Sequence, residues 1–140
     1  MIYIDANVFI FAFADNGQNG EFSRKILEIV ESQSIAAATS SLTIDEVLWS
    51  LSKEIPKKEA ILACRTILKI KGLRVLNIDK KIILESLNIV EKYNLKPRDS
   101  IHVAAMILNK INEIVSSDSD FDNVKEIKRY GINIFYNNYN

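Results

Sequence analysis

Four carboxylates stand where this chain changes from one kind of element to another. Asp5 follows the apolar run Ile2–Tyr3–Ile4, Glu46 lies inside SSLTIDEVLWSL, Asp99 comes two residues after Pro97, and Asp118 follows EIVSS. Asp120 and Asp122 crowd in behind Asp118. Oxygen donors gathered without histidine or cysteine suit a hard divalent cation, Mg²⁺ or Mn²⁺, in near-octahedral geometry with waters and substrate phosphates completing the shell. Acids so close together repel one another and some take up protons, a conflict that one or two ions resolve. The same ions generate hydroxide and clamp an in-line phosphoryl displacement, which is the chemistry of phosphodiester hydrolysis on RNA or DNA alike. Each acid also has a purely structural reading. Asp5 suits a helix N-cap, Thr43-x-x-Glu46 is a capping box, and Asp99 in a first helical turn is favoured by the macrodipole. The Asp118–Asp122 stretch could be a solvated acidic loop, though it holds no lysine to offset it.

The elements that would bring these acids together follow from hydrophobic spacing. IYI is a β-favouring run, and VFIFAFA after it is apolar all round, as in a short buried helix. DNGQNG, residues 15–20, reads as a loop, and Phe22, Ile26, Ile29 and Val30 give a helix over 21–33. IAAATS is a second strand, followed by a helix over 40–55 that stops before Pro56. Residues 57–71 are helical up to Gly72, LRVLNI is a third strand, and Asp79 opens a helix closing near Tyr93 and Asn94. A helix begins at Pro97, EIVSS is a fourth strand, a short helix covers 122–130, and INIFY forms a fifth strand. The YNNYN tail is expected to fray. Strands alternating with helices mean one three-layer α/β domain over residues 1–136, with residues 137–140 as a tail. Its sheet is mainly parallel, of about five strands. Asp5 and Asp118 then sit at the carboxyl edge of the sheet, where open α/β folds build their sites.

The bulk numbers are those of an ordinary globule, 48% hydrophobic and 26% charged. No apolar run reaches the length of a membrane span and no signal peptide is visible, so no membrane association is expected. The single Cys64 excludes an internal disulfide and fits a cytoplasmic setting. Eighteen basic residues balance eighteen acidic ones, so any attraction for phosphate must be local. Bound divalent ions would supply it.

DANVFI, SSLTIDEVLWSL, PRDSIHVAA and VSSDSDFD, in this order and spacing, resemble the PIN-domain ribonucleases, and within them the small VapC-like toxins of type II toxin–antitoxin pairs. The resemblance covers residues 1 to about 136. It implies a PIN-like fold and a metal-dependent endoribonuclease, with Asp5, Glu46, Asp99 and Asp118 holding one or two Mg²⁺ or Mn²⁺ ions. Asp120 would be an auxiliary acid and Asn7 would support Asp5. Ser116 matches a hydroxyl position where the family more often has threonine. Similar toxins dimerise and are silenced by a small antitoxin protein, so a homodimer, an RNA substrate and an antitoxin are the partners implied.

Other residues carry less. His102 is the only histidine and suits packing or hydrogen bonding better than proton transfer. Trp49 reads as core or subunit interface rather than as a base-stacking platform. Arg98, beside Asp99, is a candidate phosphate contact, ahead of Arg65, Lys69, Lys71, Arg74, Lys80 and Lys81, which suit a solvated helix face. A haloacid-dehalogenase-like phosphatase would need an acid where Asn7 stands and a lysine to balance a phospho-aspartate. A receiver domain lacks its paired acids and lysine here. A catalytically silent PIN-like module that binds RNA or protein stays as the alternative.

Overall fold

The computed structural model describes residues 1–139. Strands β1 (Ile2–Ile4), β2 (Ala37–Ser40), β3 (Leu73–Leu76), β4 (Glu113–Val115) and β5 (Lys128–Tyr130) form one sheet in the order β3-β2-β1-β4-β5. Every pairing is parallel. Helices α1 (Ala6–Ala14), α2 (Gln18–Glu31), α3 (Ser41–Leu51), α4 (Lys57–Leu68) and α7 (Ile132–Tyr139) cover one face, and α5 (Lys80–Tyr93) and α6 (Pro97–Leu108) cover the other. The three-layer α/β architecture expected from the alternation of elements is therefore the one formed.

The period of two in β1 divides the cores. Ile2 and Ile4 join the cluster that holds Val8, Phe9, Ile26, Val47, Ile67 and Phe135. Tyr3 points the other way, into the cluster of Leu76, Ile82, Val103, Met106, Ile114 and Phe121. Both faces of this central strand are covered, which is why it reads as an unbroken apolar run. The chain builds outward from β1 to β2 and β3, then crosses to β4 and β5 on the far side. That reversal opens a crevice at the carboxyl ends of β1 and β4, the place where parallel sheets bind ligands.

Local signals fix several boundaries. The Asp79 carboxylate accepts from the Ile82 N–H (3.0 Å) to start α5, and Asn94 ends it in the left-handed region at φ 52°. Gly72 turns the chain into β3 at φ 77°, where an added Cβ would lie 2.4 Å from the Val30 carbonyl oxygen. In the described residues α1 begins at Ala6 and α2 at Gln18, so the loop expected over 15–20 is shorter. Helix α3 stops at Leu51, before the segment that leads to Pro56.

The C-terminal segment corrects the sequence reading. Residues 119–123 form a 3-10 helix, 128–130 are the fifth strand, and the INIFY segment is the start of α7. The two isoleucines of INIFY suggest a strand, but the inward positions are Ile132 and Phe135, three apart, with Tyr136 following at helical spacing. Lys-Arg-Tyr does not look like a buried strand because β5 is an edge that pairs with β4 alone. Residues 136–139, expected to fray, lie in α7, and Tyr136 stacks on Phe22 of α2 with ring centroids 4.9 Å apart. Asn140 of that tail lies outside the described residues.

Candidate active site

The end of β1 is the floor of the crevice. Asp5 is 6% exposed and both its carboxylate oxygens are engaged. Oδ1 accepts from the Ala6 N–H (2.8 Å), and Oδ2 accepts from the Ser116 hydroxyl (2.6 Å) and from the Asn7 amide (3.0 Å). The N-cap reading and the site reading of Asp5 are thus compatible, because one oxygen serves each purpose. Asn7 also donates to Ser116 Oγ (3.0 Å), and its Oδ1 accepts from the Ser117 N–H (3.2 Å). Ser116 Oγ in turn accepts from the Asp118 N–H (3.0 Å). These bonds tie the turn after β1 to the turn after β4.

Above this floor lies the acidic cluster. Asp99 stands in the first turn of α6, and Asp118 caps the 3-10 helix, accepting from the Asp120 N–H (2.9 Å). Carboxylate oxygens of Asp99, Asp118 and Asp120 lie within 4.8 Å of one another, all partly buried. Glu46, Lys96, Pro97, Arg98, Asp99 and Asp118 line one depression of about 480 Å³. Burial, with the charges of Asp118 and Asp5 added, pushes the Asp99 carboxyl up to about 6, against the opposing pull of His102. Burial also raises Asp5, opposed by the charge of His102 and by its hydrogen bonds from Ser116 and Ala6.

Of the four acids singled out in the sequence, Asp99 and Asp118 come together with Asp120. Glu46 lines the same depression, while Asp5 is not among its lining residues but is close enough for its charge to act on Asp99. Glu46 is not half of a capping box. Helix α3 starts at Ser41, and the buried Thr43 hydroxyl accepts from Thr39 Oγ1 (2.8 Å) instead of capping the helix. The Glu46 carboxylate is bonded to His102 Nε2. Asp122 also leaves the acidic set, because the Arg129 guanidinium grips both its oxygens at 2.9 Å. That hydrogen-bonded cation holds Asp122 below the usual carboxylate range. Arg129 further donates to the Ser116 carbonyl (3.0 Å), pinning the loop that carries Asp118. The alternation R-Y before Gly131 gave no sign of this role.

Lys96 and Arg98 are the cations on the rim, with Lys96 Nζ 3.8 Å from Asp120 Oδ2. Arg65, Lys69, Lys71, Arg74, Lys80 and Lys81 are exposed and do not line it. Trp49 is 63% exposed with Lys53 over its ring, so the core reading of that residue is wrong. Cys64 is buried. The donor set of the depression is oxygen only, since the imidazole of His102 is fully buried and turned onto Glu46 and Tyr3. Such a set fits a hard divalent cation.

A sequence model of the PIN domain matches residues 2–127. The chain belongs to the PIN-domain family. This PIN domain is 27% identical over 135 residues to Ribonuclease VapC2 of Methanocaldococcus jannaschii, with 88% of each chain covered. Its fold is similar to that of Mycobacterium tuberculosis VapC20, described as a sarcin-ricin loop cleaving toxin (TM-score 0.72, 14% identity, 87% of this chain and 93% of that one). The DNA-bound VapBC structure from Salmonella typhimurium is similar to the same extent (TM-score 0.72, 18% identity, 94% and 97% covered). The carboxylates of the crevice, after β1 and β4, in the middle of α3 and in the first turn of α6, are the acids of the motifs that carry the family resemblance.

Proposed function

We propose that this PIN-domain protein is a VapC-like endoribonuclease, the toxin of a toxin–antitoxin pair, which hydrolyses RNA phosphodiester bonds in the acidic crevice. The observation that carries this reading is the meeting of Asp99, Asp118 and Asp120 within 4.8 Å, in a depression that Glu46 also lines. Asp99 and Asp118 are the principal ligands for Mg²⁺ or Mn²⁺, with Glu46 and Asp5 completing the set and Asp120 as an auxiliary acid. One or two such ions, when bound, lower the pKa of a water and neutralise charge on the phosphate being cleaved.

The chain's own groups do the rest. Ser116 and Asn7 hold one oxygen of Asp5 and the Ala6 N–H holds the other, so its carboxylate keeps one orientation. Lys96 and Arg98 place positive charge at the mouth of an otherwise acidic pocket, where they meet the backbone of an incoming strand. Arg98, exposed and planar, is suited to bidentate contact with a phosphate. These cations answer the objection that a chain with no net charge has nothing to attract RNA.

The partners follow the same reading. A small antitoxin protein would occupy the crevice; chains of this fold are found in the VapBC structures bound to DNA. A homodimer would cover apolar side chains left on the surface, among them Trp49, Leu62, Leu84 and Leu87. Among the described residues no helix is long and apolar enough to cross a membrane, and a cytoplasmic setting goes with the single free thiol. The test is incubation of the full chain with end-labelled single-stranded RNA and Mn²⁺ or Mg²⁺. Cleavage that EDTA stops, and that Asp99→Asn or Asp5→Asn removes, is the expected result. Cleavage persisting in EDTA would overturn the mechanism, and RNA binding without cleavage across varied RNAs would favour the silent binding module.

A further inference from the structure

His102 is the only histidine of the chain and is fully buried, yet it is not packed as an inert core residue. Its Nδ1 lies 2.7 Å from the Tyr3 hydroxyl and its Nε2 is bonded to Glu46. The three residues come from three parts of the fold: the central strand, α6 and α3. Helices α3 and α6 pack on opposite faces of the sheet, so the His102–Glu46 bond spans its carboxyl edge. His102 also follows Asp99 by three positions, one turn along the same helix. A movement of α6 would therefore shift Asp99 and Glu46 together.

The protonation pattern of the imidazole follows from its partners. An ionised Glu46 can only accept, so the hydrogen must be on Nε2. Nδ1 then either accepts from the Tyr3 hydroxyl or, in the cation, donates to it. In both forms one Glu46 oxygen is taken up by His102, and the other alone is free for the depression. Glutamate has three side-chain torsions, and an unanchored one at this position would sample many orientations.

We propose that His102 is a positioning residue. It clamps Glu46 across the sheet edge, with Tyr3 as its anchor, and presents Glu46 to the acidic pocket as a fixed single-oxygen ligand. This rests on the metal-dependent reading above. Partners of this kind, one bond removed from the ligating atom, typically contribute 10–100-fold to metal affinity or activity.

The clamp itself is read without metal. Nitrogen-15 NMR of the metal-free protein has a single imidazole to observe, and it is expected to show hydrogen on Nε2, with a signal that shifts in Glu46→Ala and in Tyr3→Phe. A signal indifferent to both substitutions would overturn the clamp. Its consequence is read by Mn²⁺ calorimetry. His102→Leu is expected to weaken binding about tenfold, and His102→Gln, which keeps an N–H at similar reach, to recover most of that loss. In a Glu46→Ala background the two substitutions should have no further effect. Equal losses with and without Glu46 would mean that His102 acts only through general packing, and the proposal would fail. If instead the NMR signal responds to Glu46→Ala while Mn²⁺ affinity does not, the clamp stands and the assignment of Glu46 as a ligand falls.

Discussion

Two sets of acids are treated in opposite ways by this fold. Asp122 and Glu126 are each met by a cation: Arg129 forks onto Asp122, and Lys92 lies 2.7 Å from Glu126. Both acids are held below the ordinary carboxylate range, Asp122 chiefly by its bonds from Arg129 and Glu126, at about 2, chiefly by Lys92. Asp99, by contrast, faces Asp118 and Asp120, and its carboxyl is pushed up to about 6 by burial and by its acidic neighbours. Among the described residues the ion pair at that cluster is a loose one, from the exposed Lys96, 3.8 Å from Asp120. A chain that pairs the acids beside its 3-10 helix could pair these too. Leaving them opposed imposes a cost on the metal-free protein that a divalent ion would remove, which supports the proposed site.

The contrast is broken most decisively by activity. Asp99→Asn should reduce RNA cleavage by more than about 100-fold, beyond the range expected for a residue acting only through a ligand. Removal of Mg²⁺ and Mn²⁺ by EDTA should be equivalent. Initial rates on one RNA, at matched protein concentration, check both. Full activity in Asp99→Asn would place the reaction elsewhere on the molecule.

Stability should move in the opposite sense. Metal-free Asp99→Asn is expected to melt higher than the natural chain at neutral pH, because it lacks the repelled charge. Excess Mn²⁺ should then raise the melting temperature of the natural chain far more than that of the variant. At a hundredfold excess over Kd the stabilisation is about 2.7 kcal/mol, roughly 10 °C for a domain of this size. Calorimetry or fluorescence melts with and without Mn²⁺ decide it. A natural chain indifferent to Mn²⁺ would deny that the acids are a cation site.

How much of this was legible in the sequence depended on whether a signal was local. The apolar run before Asp5 and the turn residues after it sufficed to put that acid at a strand end, and the alternation of elements sufficed for a parallel sheet with a carboxyl edge. The end of the chain was misread because INIFY carries two β-branched residues, while its helical spacing shows only once Phe135 and Tyr136 find Tyr130 and Phe22. The strand KRY gave no apolar signal because an edge strand needs little burial. The partners of the acids were less visible still. Nothing short of the fold indicates that Arg129 answers Asp122 or that His102 reaches Glu46, since each pair joins separate elements. The capping-box reading of Thr43 and Glu46 failed for the same reason: long-range partners for both side chains outcompeted the local one.

A smaller effect sharpens the comparison through pH. Asp99 binds its proton more tightly in the folded chain than in the unfolded one, where its value is the ordinary 3.8. Between about 4 and about 6 the folded state therefore holds the extra proton, and the stability this group contributes is lost as pH rises through that window. Other groups titrate in the same range, so the informative quantity is the difference in melting temperature between metal-free Asp99→Asn and the natural chain. It should widen in favour of the variant from pH 4.5 to 6.5 and then level off. A difference constant with pH would mean that Asp99 is not repelled by its neighbours.

The smallest effect is expected at Asp122, and it tests the other half of the contrast. Its carboxylate is gripped by Arg129, but the pair is on the surface, with the Asp122 side chain 52% exposed. Exposed ion pairs contribute about 0–1 kcal/mol, and the bidentate geometry puts this one toward the upper end. Asp122→Asn should cost no more than that in a denaturant titration. Its effect should shrink in high salt, because exposed charges are screened. Arg129 retains its bond to the Ser116 carbonyl, so the loop that carries Asp118 stays anchored and cleavage should remain within about threefold of the natural rate. If Asp122→Asn were as damaging as Asp99→Asn, the division into paired and unpaired acids would be wrong. The whole run from Asp118 to Asp122 would then have to be treated as one site.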